Sequence, residues 1–213
     1  RWSHAMNLGW AGHVVHHQRE DFNLPVALRQ SGTNALTSLP FYAPLALLGI
    51  PLSVTFACLA ASVLYQFFLH TETVGTLGPV GWFFNTPSHH RVHHARNARY
   101  LDRNFGGTLI VWDRLFGTFA AEHSPCEYGS IHRFSSIDPV WANLWYPSVL
   151  LRRARAGSLL EALALPFRAP SAEPGEATGV RDWVVPRGAE AAYVFVQFWG
   201  IVGLMYGLLF TLP

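Results

Sequence analysis

Charged residues are scarce in this chain. Only 13% of its 213 residues are Asp, Glu, Lys or Arg, about half of the roughly 25% in an average soluble domain. Half of the residues are hydrophobic and 14% aromatic, which excludes a disordered chain, since disorder needs the opposite balance. The shortage of charge also argues against an ordinary water-soluble globule and points to a membrane. An excess of one sign is missing as well. Fifteen basic against 13 acidic residues leave a net charge of +2, too weak a field to suggest nucleic acid. Two cysteines cannot build a disulfide framework: Cys58 lies in an apolar run and Cys126 in a polar loop. Neither G-x-x-x-x-G-K-[ST] nor G-x-G-x-x-G occurs, so no nucleotide site is implied. The first residue is Arg1 and no signal-peptide pattern opens the chain, so the sequence reads as a fragment or processed product.

What is present is long charge-free runs. No Asp, Glu, Lys or Arg stands between Arg29 and Glu72, and a single membrane crossing needs about 20 apolar residues. That run has room for two crossings, with a turn at Gly49-Ile50-Pro51 because Pro51 disfavours helix at the residue before it. A helical hairpin over 35–48 and 52–70 is expected, its first half kinked by Pro40 and Pro44. A second uncharged run, 191–213, suits a further spanning helix with interfacial Tyr193 and Trp199. Arginines at 91, 96, 99, 103, 114, 133, 152, 153 and 155 mark their side as cytoplasmic. Leu150–Leu165, with arginines among leucines, reads either as an interfacial helix or as a simple packed one. The fold class expected is all-α, an integral-membrane, multi-pass helical bundle with cytoplasmic histidine-bearing helices around a di-metal site. Residues 1–123 form the catalytic domain, 124–190 a cytoplasmic loop and interfacial-helix region, and 191–213 the C-terminal span.

Eleven histidines are the anomaly. His13, His16 and His17 read H-x-x-H-H, and His90, His93 and His94 repeat the pattern after His89. On a helix, residues i, i+3 and i+4 share a face, so each box is expected to aim three imidazoles at one point. Imidazole is a strong ligand for iron, zinc and copper, and grouped histidines are too polar to be core filler. Six exceed one tetrahedral site. Adding His4 and His70 gives eight, enough for two metals, and neither cysteine sits near a box. An open-coordination redox metal fits better than structural zinc, with iron the leading candidate.

These boxes, with His4 at the tail of what resembles a first H-x(3–4)-H box, resemble the fatty acid hydroxylase superfamily, also called the sterol desaturase family. The leading histidine of that first box would lie just before Arg1. The runs HVVHHQREDFNLPVALRQS, YQFFLHTE, NTPSHHRVHH and NFGGTLIVWDRLFGTF are similar to its alkylglycerol monooxygenase subgroup. The resemblance implies a membrane-bound non-haem di-iron oxygenase that uses dioxygen to hydroxylate a lipid C–H bond. An ether lipid is the substrate it suggests, and the product would be a hemiacetal that breaks down to an aldehyde. It implies two iron ions, an external electron donor (a reductase protein or a pterin), and His4, His13, His16, His17, His70, His90, His93 and His94 as metal ligands.

His89 has a weaker claim, as a substrate contact or a support for the ligands. His123 and His132 fit no box. Ligated imidazoles need their second nitrogen bonded, commonly to a carboxylate; Glu20, Asp21 and Glu72 are the expected partners, Asp102 and Asn97 weaker ones. Arg29 suits an anionic headgroup or snorkelling at the membrane edge. The Asn104–Phe119 run, with Gly106, Gly107 and Gly117, reads as a close-packed cap. Two other readings stay open: desaturation or hydroxylation of a sterol, carotenoid or acyl chain, and a metal-binding membrane protein without catalysis. A transporter would carry its ligands mid-membrane, whereas both boxes lie outside the charge-free runs.

Overall fold

A computed structural model describes residues 1–131, 134–136 and 138–170. The expected span at 191–213, most of the preceding linker and His132 lie outside the described residues. Within them the protein is all-helical; its only extended pairings are two isolated bridges, Phe84 with Leu109 and Ala95 with Tyr128. Four short helices come first: α1 (Trp2–Ala5), α2 (Asn7–Ala11), α3 (Val14–His17) and α4 (Leu24–Ala27). The apolar run then forms α5 (Asn34–Leu47) and α6 (Leu52–Leu69), followed by α7 (Pro87–His94), α8 (Val111–Leu115), α9 (Pro139–Ala156) and α10 (Leu159–Ala164).

The hairpin falls where the charge-free run places it. Gly49 turns the chain at φ 78°, a conformation that costs glycine little, and Pro51 caps the start of α6. The two arms are unequal. With a rise of about 1.5 Å per residue, α6 is about 27 Å long and α5 about 21 Å. Among the described residues only α6 is long and apolar enough to cross a membrane. The first arm is helical as expected, but its 14 residues, with Pro40 and Pro44 inside, fall short of a span. Along α6 only Thr55 and Leu69 are buried, and half of its residues, Val54, Val63, Leu64 and Phe68 among them, are exposed.

The described part of the 124–190 region holds a longer helix than expected. Asp138 caps α9, accepting from the amides of Val140 (2.8 Å) and Trp141 (3.2 Å), and Pro139 occupies the first turn, where its missing N–H costs nothing. This 18-residue helix braces the first half of the chain. Trp145 and Tyr146 bury against Val14, the Tyr146 hydroxyl donates to Asn7 Oδ1 at 2.5 Å, and Gln18 donates to the Ala142 carbonyl at 3.1 Å. No single helix runs through Leu150–Leu165: the chain breaks at Gly157 and restarts with a Ser158–Glu161 capping box. A second small core gathers Val92, Ala95 and Tyr100 beneath α7.

Candidate metal centre

Four elements deliver histidines to one region. α1 brings His4, α3 brings His16 and His17 with His13 at its N-cap, His70 caps the end of α6, and α7 carries the other box. The eight sequence-predicted ligands sort into two groups of four: His4, His13, His17 and His93, and His16, His70, His90 and His94. Within each group the ligand atoms lie within 4.8 Å of one another.

Neither box aims at one point, as the i, i+3, i+4 spacing had suggested. A helix turns about 100° per residue, so neighbouring side chains diverge. The ring planes of His16 and His17 stand at 86°, and so do those of His93 and His94. Each box therefore gives its i, i+4 pair to one cluster and its i+3 member to the other. His13 and His17 join His93, while His90 and His94 join His16. The clusters touch where the His17 ring stacks on His94 at a centroid distance of 4.3 Å.

The tautomers follow from the partners. His16 Nδ1 lies 3.1 Å from the Val26 carbonyl, His70 Nδ1 2.7 Å from the Gln66 carbonyl, and His93 Nδ1 3.2 Å from the Arg103 carbonyl. A carbonyl can only accept, so each Nδ1 holds the proton and each Nε2 presents a lone pair. Burial, reinforced by the neighbouring imidazoles, keeps these rings neutral: His13 is pushed down to about 3, and His4, His16, His17, His90 and His94 fall well below the ordinary histidine value. His93 is lowered by burial to about 4.

His16 Nε2 and His70 Nε2 consequently face each other lone pair to lone pair at 3.2 Å, an arrangement that calls for a cation between them. Nitrogens bound to a common metal at about 2.0–2.1 Å lie roughly 3.0–3.4 Å apart. His90 Nε2 stands 3.0 Å from His70 Nε2, and His17 Nε2 stands 3.1 Å from His13 Nε2. The Nε2 atoms of His4 and His94 are buried without a hydrogen-bond partner. The residues fit a metal, and an all-imidazole donor set suits iron, zinc, copper or nickel.

The orienting partners differ from those expected. Backbone carbonyls, not carboxylates, hold His16, His70 and His93. Glu20 pairs with Arg96 and Asp21 with Arg19, Glu72 is exposed beside the Tyr128 hydroxyl, and Asn97 bonds the backbone of Pro125 and Glu127. Asp102 alone approaches a box histidine, His4, at 3.7 Å. Arg29 is buried and donates to the Val15 carbonyl (3.0 Å) and Gln18 (3.1 Å), which replaces both the headgroup and the snorkelling readings. His89 lies outside both clusters, its ring edge-on to Phe119, and His123 is exposed.

Three polar side chains that the sequence reading did not single out fix the surroundings. Asp113, buried, accepts from the amides of Phe105 (2.8 Å) and Gly106 (2.7 Å) and from the Thr118 hydroxyl (2.6 Å). This folds Asn104–Phe119 into a close-packed cap and sets the Phe105 ring against His4 and His93. Arg91, between two box histidines, clamps Glu122 through two hydrogen bonds of 2.9 and 2.6 Å and bonds the Thr71 and Val74 carbonyls just beyond His70. The signal for Arg91 was its place inside the box; nothing in the sequence marked Glu122 as its partner. A cavity of about 100 Å³ opens onto His4, His17, His93 and His94 beside Trp10 and Trp145, room for a small molecule or the end of an alkyl chain.

Comparison with known proteins agrees with the family resemblance. The fatty acid hydroxylase family model matches residues 1–118. The chain is 45% identical over 178 residues to an alkylglycerol monooxygenase of Danio rerio, covering 83% of this chain and 40% of that protein. It is 46% identical over 155 residues to one of Homo sapiens, covering 68% and 35%. An ornithine lipid hydroxylase of Rhizobium tropici is 37% identical over 91 residues, 43% of this chain and 25% of that protein. The chain thus spans two fifths or less of the length of these curated relatives. No solved structure matches.

Proposed function

Because the chain belongs to the fatty acid hydroxylase family, we propose that it is the histidine-bearing part of a membrane-bound di-iron oxygenase that hydroxylates a lipid C–H bond. The carrying observation is the pairing of two four-histidine clusters in contact through His17 and His94. His4, His13, His17 and His93 would hold one iron, and His16, His70, His90 and His94 the other. Bound iron would supply the activation of dioxygen and the delivery of one oxygen atom to carbon. The protein's own part is positional. The carbonyls of Val26, Gln66 and Arg103 lock the rings, keeping Nε2 directed inward. Burial keeps the imidazoles unprotonated and free to ligate. Trp10 and Trp145 line the cavity beside the histidines and Phe105 packs on His4 and His93, which limits water there.

An ether lipid is the substrate this reading favours, on the strength of the two alkylglycerol monooxygenases. Hydroxylation next to the ether oxygen would give a hemiacetal that breaks down to an aldehyde and an alcohol. The ornithine lipid hydroxylase favours a second reading, hydroxylation of another polar lipid. α6 would cross the membrane, with the box helices at its cytoplasmic end, and electrons would come from a reductase or a pterin. The test is iron content together with dioxygen-dependent turnover of an alkylglycerol and of an ornithine lipid, with products followed by mass spectrometry. Two irons per chain and aldehyde from the ether lipid are expected. Zinc in the clusters with no oxygenated product from either lipid would overturn the reading.

A further inference from the structure

The histidine region was expected on the cytoplasmic side of the bundle, and its cap carries a broad apolar surface. Trp82 is 69% exposed, Phe83 61%, Trp112 54%, Leu115 70% and Phe116 62%. These residues come from two segments that form one unit. Phe84 bridges Leu109, Ile110 donates its amide to the Phe83 carbonyl at 2.9 Å, and Arg114 donates to the carbonyls of Gly81 (3.0 Å) and Trp82 (3.2 Å). The surface is nearly free of charge. No Asp, Glu, Lys or Arg occurs between Glu72 and Arg91. Of the two charges in the second segment, Asp113 is buried, and Arg114 is exposed with its guanidinium held 3.7 Å over the Phe119 ring, so it is the one exposed charge there. Isolated exposed apolar residues are normal, but a contiguous group this large marks an interaction surface.

The depth of this unit against α6 identifies what it meets. Thr108 meets Ser62 at 3.1 Å, the Tyr65 hydroxyl donates to the Asn85 carbonyl at 2.6 Å, and Gly107 packs on Gln66. At about 1.5 Å per residue, Ser62 lies roughly 10 Å below the C-terminal end of α6. Val63, Leu64 and Phe68 of α6 are themselves exposed beside these anchor points, so the apolar face continues from the helix onto the cap. We propose that the cap unit formed by residues 77–84 and 108–116 dips into the same bilayer leaflet that α6 enters, with Trp82 and Trp112 at the headgroup level. The inference rests on α6 spanning the membrane. A lipid surface suits the face better than a soluble partner, whose interface would carry a polar rim, and exposed tryptophans are typical of the membrane–water boundary.

The experiment uses the full chain with Cys58→Ser and Cys126→Ser, reconstituted in phosphatidylcholine–phosphatidylglycerol vesicles. An environment-sensitive fluorophore is attached at a single cysteine replacing Trp112, Leu64 on α6, or exposed Glu127. Each variant is required to keep the parent's iron content and helical circular dichroism; where Trp112→Cys does not, Leu115→Cys takes its place. The label at 112 is expected to lose emission severalfold with acyl-brominated lipids, as the label at 64 does, while aqueous iodide quenches 127 alone. Iodide quenching at 112 with lipid quenching at 64 would place the cap in water and overturn the proposal while leaving the membrane reading of α6 intact. Iodide quenching at 64 as well would remove that reading and the proposal with it. Quenching of 112 by neither agent would show that protein covers the face, which also overturns it.

Discussion

The His17 ring lies nearly flat on His94, with 4.3 Å between centroids, although the two residues belong to different clusters. The stack forms because each box splits, and the split can be tested. His16 and His17 are adjacent in the chain, yet His16→Ala and His17→Ala should empty different sites. With iron loaded, the spectrum left in His16→Ala should match that of His90→Ala, and His17→Ala should match His93→Ala. Mössbauer spectra of the four variants decide this. If His16→Ala and His17→Ala share one residual spectrum and His90→Ala and His93→Ala another, each box holds a single metal and the assignment is wrong.

The cap depends on one carboxylate. Asp113 is 2% exposed and accepts three hydrogen bonds, from Phe105, Gly106 and Thr118. In Asp113→Asn the amide group turns donors toward donors, and a buried group left unsatisfied costs about 1–3 kcal/mol. The expected result is a lower unfolding midpoint in denaturant with unchanged slope. Phe105 would also loosen from His4 and His93, so activity should fall more than stability alone explains. An unchanged midpoint would show that the cap does not depend on Asp113.

Several of these features were legible in the sequence, and the reasons are local. The charge-free run fixed the hairpin because hydropathy and the Gly49-Ile50-Pro51 turn are short-range signals. Box spacing named six of the eight histidines that come together, and the family resemblance added His4 and His70. Neither could show how they divide, since that depends on how α3 and α7 face each other. The carbonyl partners of His16, His70 and His93 were equally hidden, because backbone groups leave no mark in a residue pattern. The bracing role of α9 rests on contacts such as Tyr146 with Asn7, far apart along the chain. Composition there suggested loop, short helix and an interfacial or packed helix over Leu150–Leu165, not one that begins at Pro139.

Arg91 and Glu122 form a clamp whose side chains are 8% and 19% exposed. Breaking a buried pair from one side costs about 3–5 kcal/mol, and partial exposure of Glu122 puts this case at the lower end or below. Arg91→Lys should rescue poorly, because an ammonium cannot replace the fork that serves Glu122 and the carbonyls of Thr71 and Val74 together. Thermal unfolding of Arg91→Lys, Glu122→Gln and the double variant gives the coupling. Additive effects would mean the pair contributes little.

The Tyr146 hydroxyl donates to Asn7 Oδ1, and Asn7 in turn donates to the Leu165 carbonyl at 2.8 Å. Tyr146→Phe keeps the ring against Val14 but leaves the buried Asn7 oxygen without that donor, so a loss of about 1–2 kcal/mol is expected. Trp145→Ala, which empties core volume beside the same helix, should cost about 3–5 kcal/mol. Denaturant titration checks both. A larger loss from Tyr146→Phe than from Trp145→Ala would mean that the polar link, not the packing, holds α9 in place.

Metal removal should expose the conflict between His16 and His70. Their Nδ1 protons are committed to the Val26 and Gln66 carbonyls, so two bare Nε2 atoms remain 3.2 Å apart. A bound cation turns that repulsion into attraction, and metal that binds only the folded state adds its binding free energy to stability. At a free metal concentration one hundred times the dissociation constant, the gain is about 2.7 kcal/mol for one site. Chelation should therefore lower the melting temperature of the parent protein by several degrees. In His70→Leu the lone pair is gone and an apolar group fills much of its space. That variant should bind less metal, and chelation should shift its melting temperature less than it shifts the parent's. His123→Ala, at an exposed position outside both clusters, should behave as the parent does. A parent melting temperature unmoved by chelation, or a shift in His70→Leu as large as the parent's, would show that the facing nitrogens are settled without a metal.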